Sequence, residues 1–450
     1  MTIPQASTSP STAPLTALAV TLVVQALAAL TLTVPSVLAP VAAPDLGVPA
    51  QRVGLLVSIA YFGAMLSGLF GGTLSERHGS VRASQWALAM CAVAMAACGA
   101  GVTAWLPLAA LVIGFGYGIP NPTAAEILSR HAPPHRRGLF FSIKQTGVPL
   151  GVALTGATVP WLAQSLGWRG AVLAVAVPMA LIAVAIGAWR RVLEGARASP
   201  RAASSRPTAL GLLCQGLVIP VRDVLAFGPT RRLALTSLVY AMTQVCFLTF
   251  LVSLLTLEHG LSLAVSAGVL AASQAVSVVG RIGWGHVSDR WMNPTRLLGL
   301  LGITMAIGIA ALGLMPRDAP VAWLAGCAVA CAATAVAWNG VFFADLVRQV
   351  PPEQIARTTG ATQFMTFCGG MSGSGLFAAA VGMAGGYGRV FCVLALLPAV
   401  AGVVLLRAAR VSPGAAALMG QQLSKRFRDV ASKTFDSPGR HAPRTPPDLD

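Results

Sequence analysis

The chain has 450 residues, of which 55% are apolar and only 10% charged, and its 31 Lys and Arg against 14 Asp and Glu give a formal net charge of +17. Soluble domains carry about 25% charged residues, so this composition excludes a soluble globular protein and implies a polytopic helical membrane protein. The basic balance does not point to nucleic acid, because the cations stand between apolar stretches and at the C-terminus with no aromatic-interleaved basic module or finger spacing.

A bilayer core of about 30 Å is crossed by about 20 helical residues. Twelve such spans are predicted, over residues 14–38, 53–74, 83–104, 107–128, 139–163, 170–189, 233–256, 263–284, 297–315, 321–345, 359–383 and 389–408. The segment 208–227 is nearly apolar but contains Pro220, Arg222 and Asp223. It is read as an interfacial helix, since a thirteenth span would invert the second half. The predicted organisation is an N-terminal segment 1–13, a six-helix bundle 14–189, a linker 190–232, a second six-helix bundle 233–408 and a basic tail 409–450. Within the tail, Leu418, Met419, Leu423, Phe427 and Val430 recur at helical spacing beside Lys425, Arg426 and Arg428. That pattern predicts an amphipathic helix on an anionic leaflet, followed by a disordered end.

If the termini and the even-to-odd loops are placed in the cytoplasm, those regions hold 25 of the 31 Lys and Arg. The opposite side holds Arg52, Arg169, Arg317 and Arg389. This asymmetry predicts an inner-membrane protein with both termini cytoplasmic. The N-terminus lacks a basic n-region and a cleavage signal, so no removed signal peptide is expected. Seven of eight cysteines fall in spans and none in a periplasmic loop, so structural disulfides are not expected. Cys327 and Cys331 share a helix face without a nearby His or acid, and are read as packing residues rather than metal ligands. No cofactor or metal is expected. No nucleophile, base and orienting acid converge, and no nucleotide-binding loop is present, which argues against an enzyme or an ATP-driven pump.

One short pattern occurs twice. Gly72-Thr-Leu-Ser-Glu76-Arg77-His-Gly79-Ser-Val-Arg82 follows the second apolar stretch, and Gly285-His-Val-Ser-Asp289-Arg290 with Arg296 follows the eighth. Glu76 and Asp289 are 213 residues apart (289 − 76). Similar offsets relate Gln25 to Gln244, Gln145 to Gln363, Tyr61 to Gln274, and Glu126 with Pro133-Pro134 to Asp345 with Pro351-Pro352. Such parallel duplication predicts two halves related by an axis along the membrane normal, with a binding site between them near the midplane.

A glycine, an acid-Arg pair and a second Arg in the turn after spans 2 and 8 resemble the loop 2–3 signature of the major facilitator superfamily of transporters. The stretch Ser142-Ile-Lys144-Gln145-Thr-Gly147-Val-Pro149-Leu-Gly151 is similar to a bacterial subgroup of that superfamily. The resemblance covers residues 14–408 and implies twelve helices in two pseudo-symmetric bundles. This chain departs from the pattern at Glu76, Ser80, Val81 and Met292. The antiporter signature of span 5 is only approximated by Gly147-Val-Pro149-Leu-Gly151, and span 4 lacks the Arg of many proton-coupled members.

The resemblance also implies roles. Glu76 and Asp289 would latch onto a neighbouring helix end, where a carboxylate accepts backbone hydrogen bonds. Arg77, Arg82 and Arg290 would support that latch, and Gly72, Gly79 and Gly285 would permit close approach and a tight turn. Glu126 and Asp345 end spans 4 and 10. They are read as charge-relay partners of these gates, with proton carriers and boundary residues as alternatives. Lys144 either snorkels to the interface or faces the cavity. Arg281, inside span 8, needs a partner, either Asp345 or a substrate carboxylate. With the amides Gln25, Asn121, Gln145, Gln244, Asn339 and Gln363, these two cations form the predicted substrate site.

Two basic residues and no mid-membrane acid favour an anion. The expected activity is alternating-access transport of a small organic anion such as a carboxylate. Symport with a proton or another ion is left open, and a monomer in the lipid bilayer is expected. Proton-coupled efflux of a drug-like amphiphile, or a non-transporting sensor with the same fold, are the alternatives.

Overall fold

The computed structural model describes residues 13–133, 136–194, 218–351 and 354–410, and among them there is no strand. The predicted tail helix and most of the linker segment 208–227 lie outside the described residues. The first half comprises α1 (Ala13–Asp45), α2 (Val53–His78), α3 (Ser80–Gly99), α4 (Leu106–Gly118), α5 (Pro120–His131), α6 (Arg137–Gln145), α7 (Gly147–Ala185) and α8 (Arg190–Glu194). After α9 (Ile219–Ala226), the second half comprises α10 (Gly228–Ser253), α11 (Leu263–Arg290), α12 (Pro294–Gly313), α13 (Val321–Ala335), α14 (Asn339–Gln349), α15 (Ile355–Ala384) and α16 (Tyr387–Arg410).

Eleven segments among the described residues are long and apolar enough to cross a membrane. One of them, Phe140–Glu194, has 55 residues. At about 1.5 Å per residue it is far longer than a bilayer is thick. It is a hairpin: Gly167 leaves the helical region with φ 71° and ψ 168°. The Thr155 hydroxyl reaches the Leu30 carbonyl, and Thr31 bonds the Met179 sulfur, so both arms of α7 pass the same level of α1. The described residues therefore supply twelve crossings.

Three spans are broken. Span 4 divides into α4 and α5 at Pro120, which offers no N–H to the preceding turn. Span 5 divides at Thr146, and span 10 divides over Val336, Ala337 and Trp338. Small residues hold the helices close, as expected where lipid gives no hydrophobic drive to association. A Cβ on Gly63 or Gly114 would run into the backbone of α4 or α2 respectively, and one on Gly369 would meet the Leu238 backbone of α10.

The halves meet in pairs related by the sequence repeat, α2 against α15 and α7 against α11, with α1 against α10 on the axis. Along α2 the contacts climb one helix face. Gly54 lies on Ser374, Ser58 donates to the Met371 carbonyl, Tyr61 packs on Gly370, Cys368 reaches the Met65 sulfur, and Gly68 faces Phe367. Gly156 approaches Ala267 and Ala271 in the same manner. These seams lie toward the side of the membrane away from the two repeated motifs.

Candidate functional site

Lys144 is 3% exposed, so it does not snorkel to the interface. Its ammonium donates to Gln25 Oε1 at 2.8 Å, Asn121 Oδ1 at 2.6 Å and Gln145 Oε1 at 3.5 Å. Three predicted amides from α1, α5 and α6 thus converge on one predicted cation. An ammonium only donates, so Gln25 must present its oxygen. Its Nε2 is then left buried without a partner among the described residues.

Arg281 is partly exposed. It does not pair with Asp345: its Nη1 donates to the Gln145 carbonyl at 3.3 Å and its Nη2 to the Val336 carbonyl at 3.1 Å. Both acceptors exist because helices break. The Gln145 carbonyl would accept from residue 149 in an unbroken helix, but Pro149 has no N–H. The Val336 carbonyl lies in the break of span 10. Arg281 Nε is buried with no hydrogen-bond partner among the described residues. No carboxylate pairs with Lys144 or Arg281 among the described residues.

The second half contributes Gln244, whose Oε1 accepts from Trp338 Nε1 at 2.9 Å and Asn339 Nδ2 at 3.4 Å. Gln363 is half-buried on α15 and is joined to neither cluster by a hydrogen bond. Between the halves lies a cavity of about 50 Å³, lined by Tyr61, Tyr117, Gln244 and Val148 among others. Tyr61 packs edge-on against Tyr117 and tilted against Phe367, each at 6.2 Å between ring centres. A larger cavity of about 310 Å³ lies within the first half between α1, α2 and α4. Its walls are apolar apart from Arg52 and a few polar groups, and it contains none of the convergent polar residues. Of the predicted site residues the smaller cavity is lined by Gln244 alone, beside the hydroxyls of Thr33, Ser36, Tyr61, Tyr117 and Thr249; Lys144 and Arg281 are not among its lining residues.

The repeated motifs frame a second region. The Glu126 carboxylate accepts from Ser75 and from Ser80 (2.6 Å), and pairs with Arg130. Asp345 accepts instead from Thr295 at 2.9 Å and Gln349 at 2.8 Å. Gly79 has φ 99°, and a Cβ there would collide with the Glu194 carboxylate. That carboxylate accepts from the Val81 N–H at 2.9 Å, which caps α3, and from Arg190 at 2.9 Å. Gly285 differs from its counterpart: nothing lies within 4 Å of a Cβ there, so close approach is not its role in this conformation. Arg77, Arg82, Asp289 and Arg290 are exposed, and Asp289 has no partner among the described residues. Gly72 lies within α2, and the Glu76 side chain is outside the described set.

Sequence reasoning missed the carbonyls of Gln145 and Val336, Trp338, the serines of the first motif and Glu194. Pro149, four residues past Gln145 inside a span, was the legible signal for the first. For the others, the partner is set by packing.

A family model described as Major Facilitator Superfamily matches residues 21–374. Among curated relatives, an uncharacterised MFS-type transporter of Mycobacterium tuberculosis is 29% identical over 259 residues, covering 56% of this chain and 54% of the relative. The hexuronate transporter of Bacillus subtilis is 25% identical, covering 59% and 62%, and the gallate transporter of Pseudomonas putida is 24% identical, covering 62% and 67%. The chain thus spans little more than half the length of the first two. A solved D-xylose–proton symporter shares the fold with a TM-score of 0.68 at 16% identity, over 87% of this chain and 96% of that one. With the family model matched over residues 21–374, the duplicated motifs and the twelve crossings, the chain belongs to the Major Facilitator Superfamily of transporters.

Proposed function

We propose that this transporter moves a small organic anion, a carboxylate, by alternating access across the inner membrane. The observation that carries this reading is the pair Lys144 and Arg281, held among the described residues by neutral oxygens and no carboxylate. Burying a cation without a counter-charge costs several kcal/mol, and an arriving carboxylate offsets that cost. Beside them, Gln25 Nε2 and Arg281 Nε are donors without acceptors, which suits a ligand rich in acceptor oxygens. Hexuronate and gallate, named for two relatives, are such anions.

Substrate contacts are assigned to Lys144, Arg281, Gln25, Asn121 and Gln145 in the first instance, with Gln244, Asn339 and Gln363 facing them from the second half. The repeated motifs are assigned to gating, with the motif side cytoplasmic. Glu76–Arg77 and Asp289–Arg290 would latch when the motif side closes, and the exposed Asp289 fits a released latch.

The test is thermal stabilisation of the purified protein by glucuronate, gallate and nicotinate against glucose, glycine and a cationic dye. A ligand at about 100 times its Kd stabilises by about 2.7 kcal/mol. Stabilisation by a carboxylate that disappears in Lys144→Gln and Arg281→Gln, both inserted normally, supports the reading. Stabilisation by the cationic dye alone overturns it in favour of efflux.

A further inference from the structure

The two halves pack in a common register, which lets their interiors be compared position by position. A Cβ on Gly151 would run into the Ala26 carbonyl of α1, and one on Gly369 into the Leu238 carbonyl of α10. These contacts align α1 with α10 at an offset of 212 residues (238 − 26), about two turns from the 219 that pairs Gln25 with Gln244 in the sequence. Gly99 and Gly313 likewise meet the Arg169 and Gly388 carbonyls, which aligns the second arm of α7 with α16 at 219 residues (388 − 169).

The cavity of about 310 Å³ in the first half is lined by Pro35, Leu38, Ala39, Ala42 and Ala43 of α1 and by Val172 of α7. In this register their equivalents are Phe247, Phe250 and Leu251 of α10, Leu254 and Leu255 of the π-helical turn that continues it, and Phe391 of α16. Each is larger than its counterpart, and each has no exposed surface. Phe250 and Phe391 also pack on Phe377, at 4.3 and 4.8 Å between ring centres. The second bundle therefore fills this end with its own side chains, and the first bundle does not. Protein interiors pack as densely as organic crystals, and the walls of a void lose dispersion contacts. An apolar void stays dry and accepts apolar guests.

The cavity enters the bundle from the end away from the repeated motifs. Ala60 and Ile113, which line it, lie seven residues into α2 and α4, about 10 Å deep. Its exposed lining residues are Pro49, Arg52, Leu55, Thr103 and Pro107. Trp168 lines the same end, and the exposed Trp105 precedes α4. Tryptophans in such places sit at lipid headgroup level. Trp168 Nε1 donates to Asp45 Oδ2 at 2.8 Å, and the Arg169 guanidinium lies 5.1 Å from the Trp168 ring centre. Arg52 has no hydrogen bond or ion pair among the described residues.

We propose that this cavity is a lipid-binding site, in which one acyl chain of a phospholipid from the adjoining leaflet fills the first bundle and its phosphate meets Arg52. An acyl chain suits dry apolar walls, and a phosphate suits a guanidinium that no protein group pairs. The lipid does for the first bundle what Phe247, Phe250 and Phe391 do for the second. The inference rests on the packing of the two halves and not on the anion reading.

Phosphatidylglycerol with a photoreactive diazirine on its acyl chain, placed in nanodiscs with the full-length protein, tests it. After illumination, peptide mapping is expected to find label on Met95 and Ile113, which line the cavity and are 0% and 2% exposed, beyond the reach of bulk lipid. Ala42→Leu combined with Val172→Phe copies the filling of the second half into the first. It should remove that label while the protein melts at or above the wild-type temperature. Arg52→Gln should weaken the labelling about fivefold, the effect of one basic side chain beside a headgroup. Label confined to exposed residues such as Leu55 and Leu108 overturns the inference, and so does label on Met95 that persists undiminished in the filled variant. If the filled variant does not fold, labelling of Met95 that is unchanged in Arg52→Gln overturns it equally.

Discussion

The guanidinium of Arg281 donates to the backbone carbonyl of Gln145 at 3.3 Å, a bond from the second half of the molecule to the first, made one residue from the buried ammonium of Lys144. Two cations so placed repel each other unless an anion lies between or beside them. On the proposed assignment of these two cations to the substrate, binding and the fastening of the two halves would be coupled at one point.

The acceptor of that bond is available because Pro149 has no N–H. In Pro149→Ala the restored amide competes for the Gln145 carbonyl, and one hydrogen bond is worth about 1 kcal/mol net. The expected result is slower amide exchange over residues 147–150, since the helix becomes continuous, together with roughly fivefold weaker transport. Hydrogen-exchange mass spectrometry and uptake in vesicles check the two halves of this statement separately.

Lys144→Met should separate stability from binding. It removes a buried charge that has only amide oxygens for partners, and replacement by an apolar side chain of similar length is often neutral or stabilising. The ligand-free melting temperature is expected at or above the wild-type value, and stabilisation by carboxylates is expected to vanish. A melting temperature well below wild type would show that the ammonium is structural.

Gly79→Ala combines a positive φ with a collision against Glu194. Strain of this type costs about 1–3 kcal/mol. Glu194→Gln keeps the shape of the cap on α3 while weakening its charge, and should cost less, about 0.5–1 kcal/mol. Thermal melts of the two variants should rank in that order.

Gly156→Val tests the seam between α7 and α11. A side chain there meets the Ala267 backbone and Ala271, and overpacking costs about 1–3 kcal/mol. The conformation closed away from the motifs is therefore disfavoured. Distances between spin labels at the ends of α7 and α11 on that side are expected to lengthen, with loss of transport.

Much of the architecture was legible because its signals are local. Twenty apolar residues form a span wherever they fall, and the twelve predicted spans each overlap an observed crossing. The structure extends the second and eighth to His78 and Arg290, because the motifs remain helical to their ends. The seventh starts at Gly228 rather than residue 233, directly after α9. The convergence of Gln25, Asn121 and Gln145 near Lys144 was legible only as a set of candidates, since each is merely polar and inside a span.

Composition, hydrophobic length and repeated motifs act over short stretches of chain, so the class of protein, the number of crossings and the duplication can be read from the residues alone. Which residues touch cannot. The tertiary structure buried Lys144 among amides instead of at the interface, turned Arg281 away from Asp345 toward two carbonyls, and gave Glu126 an arginine while leaving Asp345 without one. The physical reason is rotation: each residue turns a helix by about 100°. A side chain's partner therefore depends on the angle and depth at which whole helices pack, and no local pattern encodes either.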